Sequence, residues 1–414
     1  MRTIVGLAAA GLLLTIASGA ALADPQVKAL YQFCHKDICD AGTHPVGGLA
    51  RDAAGNLYGA TDDGNGTVFK VTPGGKASLV HAFCQSCSDG FLPVGDFIMD
   101  VDGALYGMTQ GGGAGAGGTL FKLTPTHGKT WKFAVLHAFC LEADCIDGRQ
   151  PFAGLTYDGA RSGALYDGVS PLYGTTMHGG PSDVGVAFQL TPRGKKSAKY
   201  TVIHGFCDCS DGGQPQTTLL PDGKGAFYGT SGLGGDPVAE SGVVFKLAPH
   251  GKHFAYSVLH TFCKDGGDCL DGRGGGPLIW DTDGQLVGIA PVAGPNVWGV
   301  LYQLAPDGSD QHPLHDFCAQ SQCADGQFPN GITLAPDGSI WGTTYLGGGS
   351  GAGVLFKYGN GTFALLHSFC ANGRCPEGSR PDGLIFDAEG NAYGAASSGG
   401  WNADPRGTVY KVAP

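Results

Sequence analysis

Beyond the first two dozen residues, apolar and polar positions alternate in short runs, and glycine or proline interrupts each run. Residues 46–84 show the pattern once. A buried run at 46–52 leads to a turn at 53–55, and a second run at 56–61 ends in the glycine-rich stretch 62–65. A third alternates over 66–72 and stops at Pro73, and a fourth covers 76–83. Period-two alternation, β-branched and aromatic filling, and turn residues at each break predict four short antiparallel strands. Helical periodicity is hard to find anywhere after residue 24.

The unit recurs. Its third strand reads G-T-V-F-K-V-T-P at 66–73, and comparable octets stand at 118–125, 185–192, 242–249, 299–306, 353–360 and 407–414. There are seven fourth strands too, but the chain is out of phase. It opens on a lone fourth strand at 27–33 and ends on a third strand. A repeat of this length signals a propeller or a solenoid. Pairing the lone strand with the last repeat removes both exposed edges. The expected fold is therefore all-β: a seven-bladed β-propeller of four-stranded antiparallel blades, the ring closed by the N-terminal strand joining the C-terminal blade. Residues 24–414 are expected to be one such domain.

Cysteine usage follows the same period. Cys34, Cys84, Cys140, Cys207, Cys263, Cys318 and Cys370 are each followed within six residues by Cys39, Cys87, Cys145, Cys209, Cys269, Cys323 and Cys375, using all 14. The spacings drift from C-x-C to C-x5-C, which metal or redox geometry tolerates poorly and local disulfides tolerate well. The reading is one staple per blade. Whether Cys207 and Cys209 pair with each other is left open by so tight a ring.

Disulfides need an oxidising compartment. Residues 1–23 supply the route: Arg2, an apolar run over 4–16, and Ala21-Leu22-Ala23 before Asp24 read as a secretory signal. The mature chain is expected in the periplasm or outside the cell, as a monomer with no membrane span. The formal net charge is −11, and loss of Arg2 makes it more negative. Nucleic acid is thereby excluded as a partner, since counterion release needs a basic face.

Strand order places the short turns (strands one to two, and three to four) on one face. The cysteine loops and glycine-rich loops share the other, and an insertion near 159–170 belongs to the short-turn face. Variable loops on a rigid scaffold are where binding usually sits. The pattern L-H-x-F … D-G-x-x-P-x-x-G-L-x-x-D-x-x-G-x-L-Y-G-x-T-x-x-G-G … G-T-V-F-K-L-T-P resembles the GloVer tandem repeat of the choice-of-anchor GloVer-containing proteins. The resemblance runs over essentially the whole mature chain. It implies bacterial export and a propeller-like fold, and no particular activity. The usual repeat lacks the cysteine pair found here in every blade.

Candidate chemistry divides into what repeats and what does not. Six fourth strands carry a histidine (His81, His137, His204, His260, His315, His367), with Tyr31 in the seventh; such repetition points to packing. An acid before or near glycine recurs in the cysteine loops as Asp40, Asp89, Asp147, Asp211, Asp271, Asp325 and Glu377. Turn chemistry accounts for it, with calcium as the alternative and no other cofactor expected. Ligand-binding candidates break the repeat: Trp298, Tyr345 and Trp401, with Asn296, Asn402, Asp404 and Arg406. Flat aromatics beside amides and charges suit sugar rings. His178, with Asp183, Asp236 and Glu240 in corresponding loops, is the candidate catalytic set, though no spacing among them is diagnostic. The expected function is a non-catalytic binding scaffold for a glycan or another cell-surface component. The alternatives are a lyase or hydrolase on polysaccharide using His178 with Asp236 or Glu240, and a protein-interaction platform.

Overall fold

A computed structural model describes residues 26–34, 39–84, 88–127, 130–193, 198–207, 210–236, 240–264, 269–371, 373, 375–400 and 406–413. The leader, Cys87, Cys209, Trp401, Asn402 and Asp404 lie outside them. The chain forms seven antiparallel sheets, the blades of a β-propeller. Blade one spans 45–82, blade two 91–138, blade three 151–205, blade four 220–261, blade five 278–316 and blade six 327–368. Blade seven joins Cys375–Phe386, Ala392–Gly400 and Thr408–Ala413 to the N-terminal strand Gln26–Gln32. The closing register sets Val27 opposite Val412 and Tyr31 opposite Val409.

Two blades depart from four regular strands. In blade two the first strand is split into Phe91–Pro93 and Ile98–Met99, both paired with the second. Blade three keeps three strands, and its first is reduced to the bridge between Thr156 and Tyr173. The insertion explains this. A 3-10 turn over Asp158–Ser162 follows Tyr157 directly, and Tyr166 bridges back to Asp100 of blade two.

The L-Y-G and G-T-V-F-K motifs are two halves of one contact. Gly59 pairs with Phe69, Gly174 with Phe188, Gly229 with Phe245 and Gly342 with Phe356. Each ring is fully buried and lies flat over its glycine. A Cβ on Gly174 would meet the Phe188 ring at 2.6 Å. Glycine in mid-strand is here the condition for close approach.

Neighbouring blades are joined by the repeated histidine and the repeated acid, which are partners. His81 lies 2.9 Å from Asp89, His260 2.9 Å from Asp271 and His315 3.0 Å from Asp325. The acid also accepts loop amides: Asp211 from Cys207, Asp271 from Cys263, and Asp325 from Ala319 and Gln320. The imidazole then stacks on a ring of the next blade, His137 on Tyr200 at 3.9 Å and His315 on Phe363 at 3.7 Å. Burial lowers the proton affinity of His137, His204 and His315, and the adjacent carboxylate opposes it. Five of the expected disulfides fall among the described residues: Cys34–Cys39, Cys140–Cys145, Cys263–Cys269, Cys318–Cys323 and Cys370–Cys375. Cys84 and Cys207 are disulfide-bonded as well.

Candidate functional site at the mouth of the axial channel

On the loop-rich face, one residue per blade stands in or just before the inner strand: His44, Leu92, Gln150, Gln214, Gly274, Phe328 and Arg380. All have positive φ, between 51° and 77°. Each donates its amide to a carbonyl of the preceding blade, at 2.7–3.0 Å. The acceptors are Arg406, Asn65, Gly117, Val184, Ser241, Trp298 and Ala352. The backbone alone makes this sevenfold clasp, so the side chains are left free to differ. Six of the seven positions keep a side chain in a conformation where glycine is unstrained, at about 1 kcal/mol each. Structure does not require those side chains.

In blades six and seven, Phe328 and Arg380 each meet an aromatic ring of the preceding blade. Trp298 meets Phe328 edge to face at 5.0 Å. Phe328 follows Gln327, which pairs with Leu346, and precedes Pro329, which pairs with Thr344; Tyr345 is the residue between those partners. Tyr345 is 39% exposed, and the Arg380 guanidinium lies 5.3 Å from its ring centroid. Tyr345 also holds the place, one residue past the second strand's threonine, that Asp62 and Gln110 hold in blades one and two. Those two line the axial cavity.

That cavity is about 760 Å³ and draws its wall from the inner strands of all seven blades. Most of those strands offer small or apolar residues. Blades two, six and seven instead offer Asp96, Asn330 and Asp382. Asp96 Oδ1 accepts the Gly48 amide at 2.7 Å, and Asp382 Oδ2 accepts the Gly47 amide at 3.2 Å. Asn330 donates to the Pro381 carbonyl at 2.8 Å and accepts from the Thr343 hydroxyl at 2.9 Å. The Asn330 side chain also donates to Asp382 Oδ1, at 3.4 Å. Burial raises Asp96, while the Gly48 amide opposes it. Burial, then the negative charge of Asp96, pushes Asp382 up to about 6. Asp62, nearer the mouth, is also raised by burial and eased by His44.

The sequence-derived candidates separate on this framework. Trp298 packs on Phe328 and Tyr345 meets the Arg380 guanidinium, while Trp401, Asn402 and Asp404 are outside the described residues. The Arg406 guanidinium lies against the first disulfide, 3.5 Å from Cys39 Sγ. His178 sits in blade three's loop with Nδ1 3.4 Å from the Asp183 carbonyl. The Asp183 carboxylate is held by Arg149 at 2.8 and 3.1 Å. Asp236 and Glu240 belong to blade four's loop, where the Glu240 amide donates to the Asp236 carbonyl. Among the described residues, no group of three or more His, Cys, Asp or Glu is placed to hold a metal ion, and no helix is long and apolar enough to cross a membrane.

Asp96, Asn330, Asp382, Phe328 and Arg380 escaped the sequence reading. Their signal was present. P-V-G-D-F at 93–97 stands where blade one has P-V-G-G-L, and P-D-G-L and P-N-G-I replace it in blades seven and six.

Known proteins show the same architecture. No curated protein matches the chain. The extracellular domain of the putative one component system BT4673 from B. thetaiotaomicron aligns with a TM-score of 0.54 at 13% identity, over 94% of this chain and 41% of that one. The extracellular domain of the putative hybrid two component system BT4673 gives 0.52 at 11%, over 93% and 39%. The chain thus spans about two fifths of the length of either structure, and the likeness is one of fold. The gluconolactonase XC5397 from Xanthomonas campestris aligns over 96% of this chain and 92% of its own, with 12% identity and a TM-score of 0.44. The family described as the Gloeobacter/Verrucomicrobia repeat matches residues 9–171, 163–321 and 273–414. With the repeat matched from near the first residue to the last, the chain belongs to the Gloeobacter/Verrucomicrobia (GloVer) repeat family.

Proposed function

We propose that the protein is an exported, non-catalytic binding scaffold whose channel mouth takes a glycan. One combination of features carries the reading: two contacts between neighbouring blades, Trp298 on Phe328 and Arg380 on Tyr345, in a propeller whose axial cavity is lined in part by Asp96, Asn330 and Asp382. A sugar offers apolar ring faces and hydroxyl edges, and the rim and channel supply a partner for each. A concave site with apolar walls and a few placed polar groups is the usual form of a small-ligand pocket. Export is supported by the disulfides in the blade loops and by the leader-like residues 1–23.

One feature favours a second reading, a hydrolase. A carboxyl with a pKa of about 6 in a sugar-sized channel, as at Asp382, is suited to act as a general acid. Affinity electrophoresis against a panel of polysaccharides, with reducing ends assayed in parallel, tests both. Retardation by a polymer without new reducing ends is the expected result. Release of reducing ends, abolished in Asp382→Asn, would replace the scaffold by the enzyme. Retardation by no polymer would overturn the glycan reading.

A further inference from the structure

A second cavity, of about 590 Å³, opens on the opposite, short-turn face between blades one and two. Its walls are the hairpin that follows Val71 in blade one and the hairpin that ends at Trp131 in blade two. Trp131 breaks the repeat. It stands six residues before the fourth-strand histidine, where blades three, five and six have Ala198, Ser309 and Gly361. Blade four has Phe254 there, and that ring packs onto Tyr173 and Phe227. Trp131 likewise meets the equivalent tyrosine of the preceding blade, Tyr58, edge to face at 5.8 Å, and is one wall of the cavity.

At this cleft Lys70, like Lys246 of blade four and Lys411 of blade seven, lies over a tyrosine ring. In blades two and six the lysine after the third-strand phenylalanine is neutralised, Lys122 by Asp100 at 3.2 Å and Lys357 by Asp337 at 2.7 Å. Lys70, at the same place in blade one, lies 5.4 Å from the Tyr58 ring centroid, and no carboxylate comes within ion-pair range of it among the described residues. Asp52 is already occupied by the Asn56 amide, the Asn56 side chain and the Tyr58 hydroxyl, at 2.8, 2.7 and 3.0 Å. Lys76 adds a second cation at the exposed lip. The cleft thus sets two ammonium groups beside an indole, with the Asp52 carboxylate also in its lining.

We propose that this cleft is a ligand site for a sugar that carries a carboxylate. The indole and phenol edges take the apolar face of a pyranose ring, the hydroxyls of Thr72 and Thr126 take its rim, and Lys70 and Lys76 take the anionic group. The site is independent of the channel mouth, since it uses other residues on the other face.

Isothermal titration at low salt with trigalacturonate, and with maltotriose as the neutral control, tests this on the intact protein. Three forms are compared: wild type, Lys70→Met/Lys76→Met, and Tyr345→Ala/Arg380→Ala. Matched melting curves check that each is folded. Binding of trigalacturonate to the wild type is expected, weakened roughly tenfold in the lysine variant, the scale of two exposed ion pairs. It is expected unchanged in the Tyr345/Arg380 variant and reduced by salt at about 0.3 M. Equal affinity in the lysine variant, equal affinity for maltotriose, or no binding by the wild type would each overturn the proposal. Loss of binding only in the Tyr345/Arg380 variant would move the acidic sugar to the channel mouth, leaving that site standing and this one not.

Discussion

Asp96 and Asp382 reach into one channel from blades two and seven, and consecutive amides of the blade between them, Gly48 and Gly47, hold the two carboxylates. Acid and glycine are coupled. A Cβ on Gly48 would collide with Asp96 Oδ1, so the acid in one blade occupies space that the glycine in the next leaves open. Two negative charges sharing a channel are unfavourable for the empty fold, which makes the pair a poor stabiliser and a suitable ligand contact.

The first prediction follows from Asp382. Its folded-state pKa, about 6, lies above the unfolded value of about 3.9. Ionisation is therefore penalised only in the folded chain. The penalty is absent below about pH 4, grows between about pH 4 and 6, and is complete above that. Asp382→Asn should raise stability by about 1–2 kcal/mol at pH 7.5 and leave it unchanged at pH 4. Urea denaturation at both pH values reads this directly. Equal stability of the two forms at pH 7.5 would contradict the account of the pair.

A second prediction concerns the inter-blade acid. Asp325 is fully buried and accepts from Ala319, Gln320 and His315 at once. Asp325→Ala leaves two amides and an imidazole without an acceptor and should destabilise by about 3 kcal/mol. Asp325→Asn, which keeps one acceptor oxygen, should lose less. A loss under about 1 kcal/mol for the alanine variant in chemical denaturation would show that the acid is only a turn residue.

The sequence was informative wherever the structure repeats itself. Seven variants of the octet G-T-V-F-K-V-T-P and of the tripeptide L-Y-G made strands, blade number and ring closure legible, because each Phe188-type ring over a Gly174-type glycine enforces the same spacing. The His315–Asp325 partnership was less legible, since ten residues of variable loop separate the two and each alone has an ordinary explanation. The channel was hardest to foresee. Asp96 and Asp382 lie 286 positions apart in the numbering, and only the closed ring makes them neighbours across blade one. Trp298 and Tyr345 were found as departures from the repeat. Phe328 and Arg380 were not, because their role depends on a backbone conformation that sequence pattern does not display.

Ring closure gives a third prediction. Phe33 directly follows the N-terminal strand, is 4% exposed, and packs edge to face on Phe69 of blade one and on Tyr31 of that strand, each at 5.0 Å. Phe33→Ala should destabilise by about 3 kcal/mol and speed unfolding, since it loosens the strand that covers the edge of blade seven. Stopped-flow unfolding in urea measures it. An unchanged unfolding rate would mean that the N-terminal strand does not lock the ring.

The claim that the channel mouth binds a glycan is tested most directly by calorimetric titration of the polymer that retards the protein. Wild type is compared with a folded Tyr345→Ala/Arg380→Ala variant. The account predicts a loss in affinity of about tenfold or more, the scale of one aromatic contact and one charged group. Unchanged affinity in that variant would place the ligand elsewhere on the propeller and contradict the assignment of the mouth.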